Sequence, residues 1–157
     1  MSKSRTLVAV SAFVAASLLP IASGAQTGRD NTRAAIQYGA DAGEYTPQGF
    51  ALRGRAEVTQ GTNRLRADAI QGFTTNGDLT RVEASGNVYF VTPDQNMRGD
   101  RAVYNLTTGE VVVTGDVILT QGQNVLTGGR LVYNVRTENA RIESAGSRVR
   151  GVFYPSN

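Results

Sequence analysis

The chain of 157 residues contains no cysteine, no histidine and no tryptophan. The absence of cysteine rules out disulfides, so the fold must be held by its own core or by partners. The absence of histidine removes the usual base of Ser-His and Cys-His catalysis and the commonest metal ligand. Carboxylate chemistry stays open. However, the 13 acidic residues are scattered, and no pair of them stands apart from the repetition that organises the chain. The composition points to a protein that is not an enzyme and uses no cofactor and no metal.

Lysine is nearly missing as well. Lys3 is the single one, and every cation beyond residue 25 is arginine. Arginine offers carboxylates and phosphates a planar fork; a GC-rich genome would give the same bias. Long apolar runs are confined to the N terminus. Lys3 and Arg5 open the chain, Leu7 to Ile21 is apolar but for Ser11, Ser17 and Pro20, and Ala22-Ser23-Gly24-Ala25 is a small-residue exit. This is the layout of a secretory signal peptide, residues 1–25, cleaved after Ala25. The rival reading is a retained anchor, but the run is short of the ~20 residues that span a bilayer. Cleavage predicts an exported chain of residues 26–157 forming one domain. Its 14 arginines and 13 acids leave a net charge of +1 in place of the +3 of the whole chain. So small an excess gives no support to a nucleic-acid partner.

What the chain does have is repetition. GDRAVYNLTTGEV (99–111) returns as GGRLVYNVRTENA (128–140). Three segments start alike: GRAEV at Gly54, GNVYF at Gly86 and GDVIL at Gly115. Eleven residues after each glycine stands Leu65, Met97 or Leu126, and five further on Ile70, Ala102 or Leu131. Tyr104-Asn105 and Tyr133-Asn134 follow in two copies, Gly72-Phe73 in the other. A partial copy precedes them at Ala40-Asp41-Ala42, and a remnant follows from Gly146. Leading glycines spaced 32, 29 and 31 residues apart indicate stacked supersecondary units. One such unit cannot bury its apolar face alone, whereas stacked units share a continuous interior.

Each unit reads as β-structure. Ala56/Val58, Val88/Phe90 and Val117/Leu119 alternate at period two, and Val111 to Val113 are β-branched. Turn chemistry joins the strands at Thr75-Asn76-Gly77-Asp78, Thr107-Thr108-Gly109 and Thr137-Glu138-Asn139. One short helical turn is expected near residues 31–37. The parity of the apolar positions also changes inside each unit. Leu65 and Ala67 oppose Ile70, Met97 opposes Ala102 and Tyr104, and Leu126 opposes Leu131 and Tyr133. A strand cannot switch faces without an irregularity. The switches are expected at Asp68, Gly99-Asp100 and Gly128-Gly129, as bulges or corners where strands pass from one sheet to another.

Several short motifs have plain structural readings. Arg98-Gly99-Asp100 spells an adhesion tripeptide but falls on a corner of the repeat. Asn105-Leu106-Thr107 is a formal glycosylation acceptor, read here as a turn. Gly122, Gly128 and Gly129 make no phosphate loop. Asp68, Asp100 and Asp116 lack the dense Asp/Gly repeat of calcium-binding β-rolls.

The stretch GNVYFVTPDQNMRGDRAVYNLTTGEVVVTGDVILTQGQNVLTGGRLVYN, residues 86–134, resembles the OstA-like (LptA) family of lipopolysaccharide-transport proteins. Weaker matches run from about Ala34 to Ser144. The carriers are the G-x-V start, the small-Asp-x-apolar-x-Tyr corner, the glycine turn and the β-rich return. The resemblance implies an all-β fold: an antiparallel β-jellyroll, a taco-like coil of repeated strand units, open along one side and at both ends. It implies a periplasmic protein that binds lipopolysaccharide acyl chains in an apolar trough and bridges the periplasm toward the outer membrane. Val88, Phe90, Met97, Ala102, Tyr104, Val117, Leu119, Leu126, Leu131 and Tyr133 are the in-phase positions for that trough; residue by residue, a filled core explains them equally. The implied partners are lipopolysaccharide, an LptC-like inner-membrane anchor and an LptD-like outer-membrane translocon, with head-to-tail self-association. The short C terminus departs from the pattern and leaves the number of coil turns open. Two other readings stand beside this one. An LptC-like assembly factor would keep residues 7–21 as an anchor. A structural β-solenoid would have a solid core and bind no lipid.

Overall fold

The computed structural model describes residues 31–146 and 148–155; the expected signal peptide, residues 1–25, lies outside them. A 3-10 turn, Asn31–Arg33, leads into ten strands among the described residues. They are β1 (Ile36–Gly39), β2 (Ala42–Thr46), β3 (Gly49–Gln60), β4 (Asn63–Thr75), β5 (Asp78–Val91), β6 (Asn96–Asn105), β7 (Glu110–Gln121), β8 (Asn124–Asn134), β9 (Ala140–Glu143) and β10 (Arg150–Val152). Strands β3 to β8 form an antiparallel meander, each paired with the next. A broken strand takes each outer position. β1 and β2 pair successive stretches of β3, and β10 and β9 pair successive stretches of β8.

All the long strands are interrupted at one level. The ladder shifts register at Gly54-Arg55, Gly86-Asn87 and Gly115-Asp116. Both residues of each pair are left-handed, with φ of 74° and 46°, 76° and 46°, and 80° and 43°. Glycine fits the first position because of its φ, and also because a neighbouring aspartate packs against it. A Cβ on Gly115 would stand 2.3 Å from Asp100 Oδ2 and 2.8 Å from Asp100 Cβ. Gly54 with Asp41 and Gly86 with Asp68 repeat the arrangement. The recurring aspartate is thus half of a corner whose other half, Gly-X, lies on the adjoining strand. At the first corner Asp41 also accepts a bidentate bond from Arg55, and this holds its carboxyl below the usual range.

The inward parity changes within the even strands as the sequence predicts. On β4, Leu65 and Ala67 are buried and so is Ile70; on β6, Met97 and then Ala102 and Tyr104. Two details differ from expectation. The inserted residue sits on the Gly-X strand rather than at Asp68, Asp100 or Gly128-Gly129, because the pair of left-handed residues absorbs the bulge. The strands also do not cross into a second sheet: one continuous sheet folds along its line of corners into two leaves. The first leaf carries residues 56–67, 88–99 and 117–128. The second carries 49–53, 69–85, 101–114 and 130–134. Their inner faces meet where Phe90 of the first leaf packs on Tyr104 and Tyr133 of the second, at ring-centroid distances of 6.4 and 6.0 Å.

The hairpin turns explain the repeated Tyr-Asn pair. Asn105 Oδ1 accepts the N–H of Thr107 and Thr108 at 3.0 and 3.1 Å, and Asn134 Oδ1 accepts those of Arg136 and Thr137 at 2.9 and 3.2 Å. The tyrosine points inward while the asparagine next to it closes an Asx turn. Asn76-Gly77, both at positive φ, makes the two-residue hairpin that Asn-Gly favours.

Candidate functional site

The space between the leaves is the candidate site. Of the ten in-phase positions, Val88, Phe90, Met97, Ala102, Tyr104, Val117, Leu119, Leu131 and Tyr133 are buried, and Leu126 is half-buried against them. The first leaf supplies Val88, Phe90, Met97, Val117, Leu119 and Leu126. The second supplies Ala102, Tyr104, Leu131 and Tyr133. Phe50, Leu52, Val82, Val111 and Val113 line the same interior. The period-two alternation of GFALRG, LTRVEAS and EVVVTG was the signal that could have added them. No buried side chain among the described residues carries a charge.

The margin opposite the corners is polar. Gln60, Asn63, Thr92 and Gln95 are buried there, at the hairpin ends of the first leaf. Nothing in their local sequence singles them out, since a lone Gln or Thr beside a turn looks like any exposed one. Tyr104 reaches across from the second leaf and donates its hydroxyl to Gln60 Oε1 at 2.9 Å. Gln60 Nε2 donates in turn to the Thr32 carbonyl at 2.8 Å. Tyr133 stands beside Thr92 at the next hairpin end. Burial pushes the Tyr133 hydroxyl above the ordinary tyrosine value; the Thr92 bond opposes this, while Glu138 and Asp94 add to it. The Tyr104–Gln60 bond therefore clasps the leaves at their free margin. Such neutral hydrogen bonds contribute about 1 kcal/mol each, so the clasp is weak beside the apolar packing behind it.

The two outer edges are apolar as well as unpaired among the described residues. Tyr38 and Tyr45 are exposed on the β1–β2 edge, and Val149, Val152, Phe153 and Tyr154 beside β10. No group of three or more acidic side chains among the described residues is placed to hold a metal. The arrangement pairs an apolar inner face with two sheet edges that have no further strand among the described residues.

These features define an open-ended antiparallel β-jellyroll. Residues 40–151 match the family described as LptA/(LptD N-terminal domain) LPS transport protein. The chain belongs to that family, whose members are lipopolysaccharide-transport proteins without known catalysis. An uncharacterized protein of Rhizobium meliloti (strain 1021) is 30% identical over 114 residues, covering 66% of this chain and 61% of the relative. The chain thus spans somewhat under two thirds of that relative's length. Among solved structures, LptH of Pseudomonas aeruginosa, the LptA-homologous periplasmic component of the lipopolysaccharide transport device, superposes with a TM-score of 0.73. The match has 22% identity and covers 80% of this chain and 99% of LptH. The likeness is one of fold.

Proposed function

We propose that the protein carries lipopolysaccharide by taking acyl chains between its leaves, and that it does so in the periplasm as one link of a bridge. The observation that carries the proposal is an apolar interior without a buried charge, bounded on its free side by only a few neutral hydrogen bonds. An acyl chain gains about 0.8 kcal/mol for each CH₂ removed from water. Ten methylenes would therefore outweigh the clasp several times over. The ten in-phase residues are the proposed acyl contacts, and residues 26–157 the proposed working domain behind a cleaved leader. Native mass spectrometry of the protein purified from cells that make lipopolysaccharide tests this. Co-purifying lipopolysaccharide or lipid A is the expected result; a lipid-free protein that also fails to take up added lipopolysaccharide would refute it.

The proposed bridge joins chains by their edges. Strand β10 of one copy, or of an LptC-like or LptD-like partner, would meet the β1–β2 edge of the next, so contacts run head to tail. Arg148 and Arg150 on the downstream edge discourage indiscriminate pairing while the backbone stays available. Deleting residues 146–157 is expected to lower self-association by about tenfold or more in sedimentation over a concentration series. Lipid uptake by the single copy should change little, because β10 contributes nothing to the buried core. Undiminished association would place the joint elsewhere.

A further inference from the structure

The two outer edges are matched in direction. Strands β3 to β8 alternate, and β1–β2 and β9–β10 each run antiparallel to the strand they pair with. The upstream edge therefore runs opposite to the downstream one. A second copy stacked in the same orientation continues the antiparallel alternation, and both leaves continue with it. Seven ladders separate β1 from β10, an odd number, so the alternation of hydrogen-bonded and open pairs along a row also carries into the joint. The corners set the register. Both outer strands break where the sheet folds, β1–β2 at Ala40-Asp41 and β9–β10 between Glu143 and Arg150. Continuing the fold line across the joint places Gly39 of the next copy beside Arg150, and its Ala42 beside Glu143.

Rows of directly paired residues cross the whole sheet, and their two ends are what such a joint brings together. On the inner face the row from Tyr38 ends at Gly151, that from Gly43 at Ile142, and that from Tyr45 at Ala140. Each row has a large side chain at one end and glycine or alanine at the other. Tyr38 lays its ring on Phe50 at 4.9 Å but stays half exposed, and Tyr45 is 73% exposed, because no strand follows them. Against Gly151 and Ala140 of the preceding copy both rings find room. On the outer face the row from Glu44 ends at Arg141. Glu44 has no ion-pair partner among the described residues. Arg141 shares Glu143 with Arg130, at 3.2 and 2.8 Å.

We propose that a second copy of this chain docks on the downstream edge in this one register, with its Tyr38 over Gly151, its Tyr45 over Ala140 and its Glu44 against Arg141. The inference rests on the edge-joining reading above and adds the contacts that select the register. Large-on-small packing sets it on the inner face, and one ion pair sets it on the outer face. Arg150 then stands beside Gly39 and meets no like charge.

Because the chain has no cysteine, single thiols report the first leaf. The row from Gln37 ends at Val152, so Gln37→Cys mixed with Val152→Cys should give a mixed disulfide dimer in high yield on mild oxidation. Directly opposed Cβ atoms lie about 5 Å apart, close enough for a disulfide. Two slipped mixtures, Gln37→Cys with Arg150→Cys and Gly39→Cys with Val152→Cys, are two residues out of register and should give little. Sedimentation over a concentration series reads the second leaf. Arg141→Glu should weaken self-association several-fold. Arg141→Glu combined with Glu44→Arg in one chain should restore it, since each joint again holds one charge of each sign. Both positions are exposed, so folding is not at stake, and circular dichroism checks it. Slipped mixtures that link as well as the matched one would overturn the register while leaving edge-to-edge joining standing. So would a double variant no better than the single one. A native chain that stays monomeric throughout the series would overturn the joining itself and this inference with it.

Discussion

Val88→Asp is expected to lower the stability of the protein by about 3–5 kcal/mol. Val88 is fully buried on the first leaf, two residues past Gly86 and opposite Gly99. An introduced carboxylate there has no cation and no donor within the apolar interior. An uncompensated buried charge costs about 3–5 kcal/mol, and a domain of this size has only about 5–15 kcal/mol to lose. The introduced carboxyl should respond by raising its pKa. The deficit is therefore largest above the ordinary carboxylate value and shrinks as the pH falls through the raised one. Val103→Asp is the control. Val103 lies on the outer face of β6 with 39% exposure, and the same change there should stay within about 0.5 kcal/mol. Urea denaturation followed by circular dichroism reads both. Comparable stability of the two variants would mean that the inner face is not the dry interior described here.

The second large effect concerns the clasp. Because the chain has no cysteine, Gln60→Cys and Tyr104→Cys place two unique thiols where the leaves touch. A thiol-cleavable bismaleimide joining them is expected to cut uptake of dodecyl maltoside more than tenfold, and reductive cleavage to restore it. The unlinked double variant, which also loses the Tyr104 ring from the interior, is the reference for the linked and the cleaved forms. A link between Glu57→Cys and Arg66→Cys provides the control. These residues are neighbours within one leaf, paired across β3 and β4. Joining them should leave uptake unchanged. Undiminished uptake with the leaves linked would mean that chains thread in from the ends rather than between parting margins.

Much of this architecture can be read in the chain because repetition makes weak signals add. A single Val-x-Phe is ambiguous. Three in-phase copies, with parity changes at Asp68, Gly99-Asp100 and Gly128-Gly129, fix strand, face and corner together, and the buried set follows them. The location of the bulge was less legible. Asp68 and Asp100 mark the parity change, yet the left-handed pairs lie on the partner strands, at Gly54-Arg55, Gly86-Asn87 and Gly115-Asp116. The Gly-X starts were visible in sequence, but which strand absorbs the extra residue depends on pairing register, a non-local property. The polar margin was not legible at all. Gln60 is buried where Tyr104 arrives from the other leaf, 44 positions away in the chain.

The central claim is that acyl chains lie against the inner face of the folded sheet, and adjacent residues on β5 test it most directly. Phe90 is 1% exposed and faces the interior, whereas Tyr89 is 42% exposed and faces solvent. A photo-reactive amino acid is placed at each position in turn, and the protein is irradiated with lipopolysaccharide. The account predicts strong capture at position 90 and little or none at position 89. Equal capture at both, or capture at 89 alone, would contradict it.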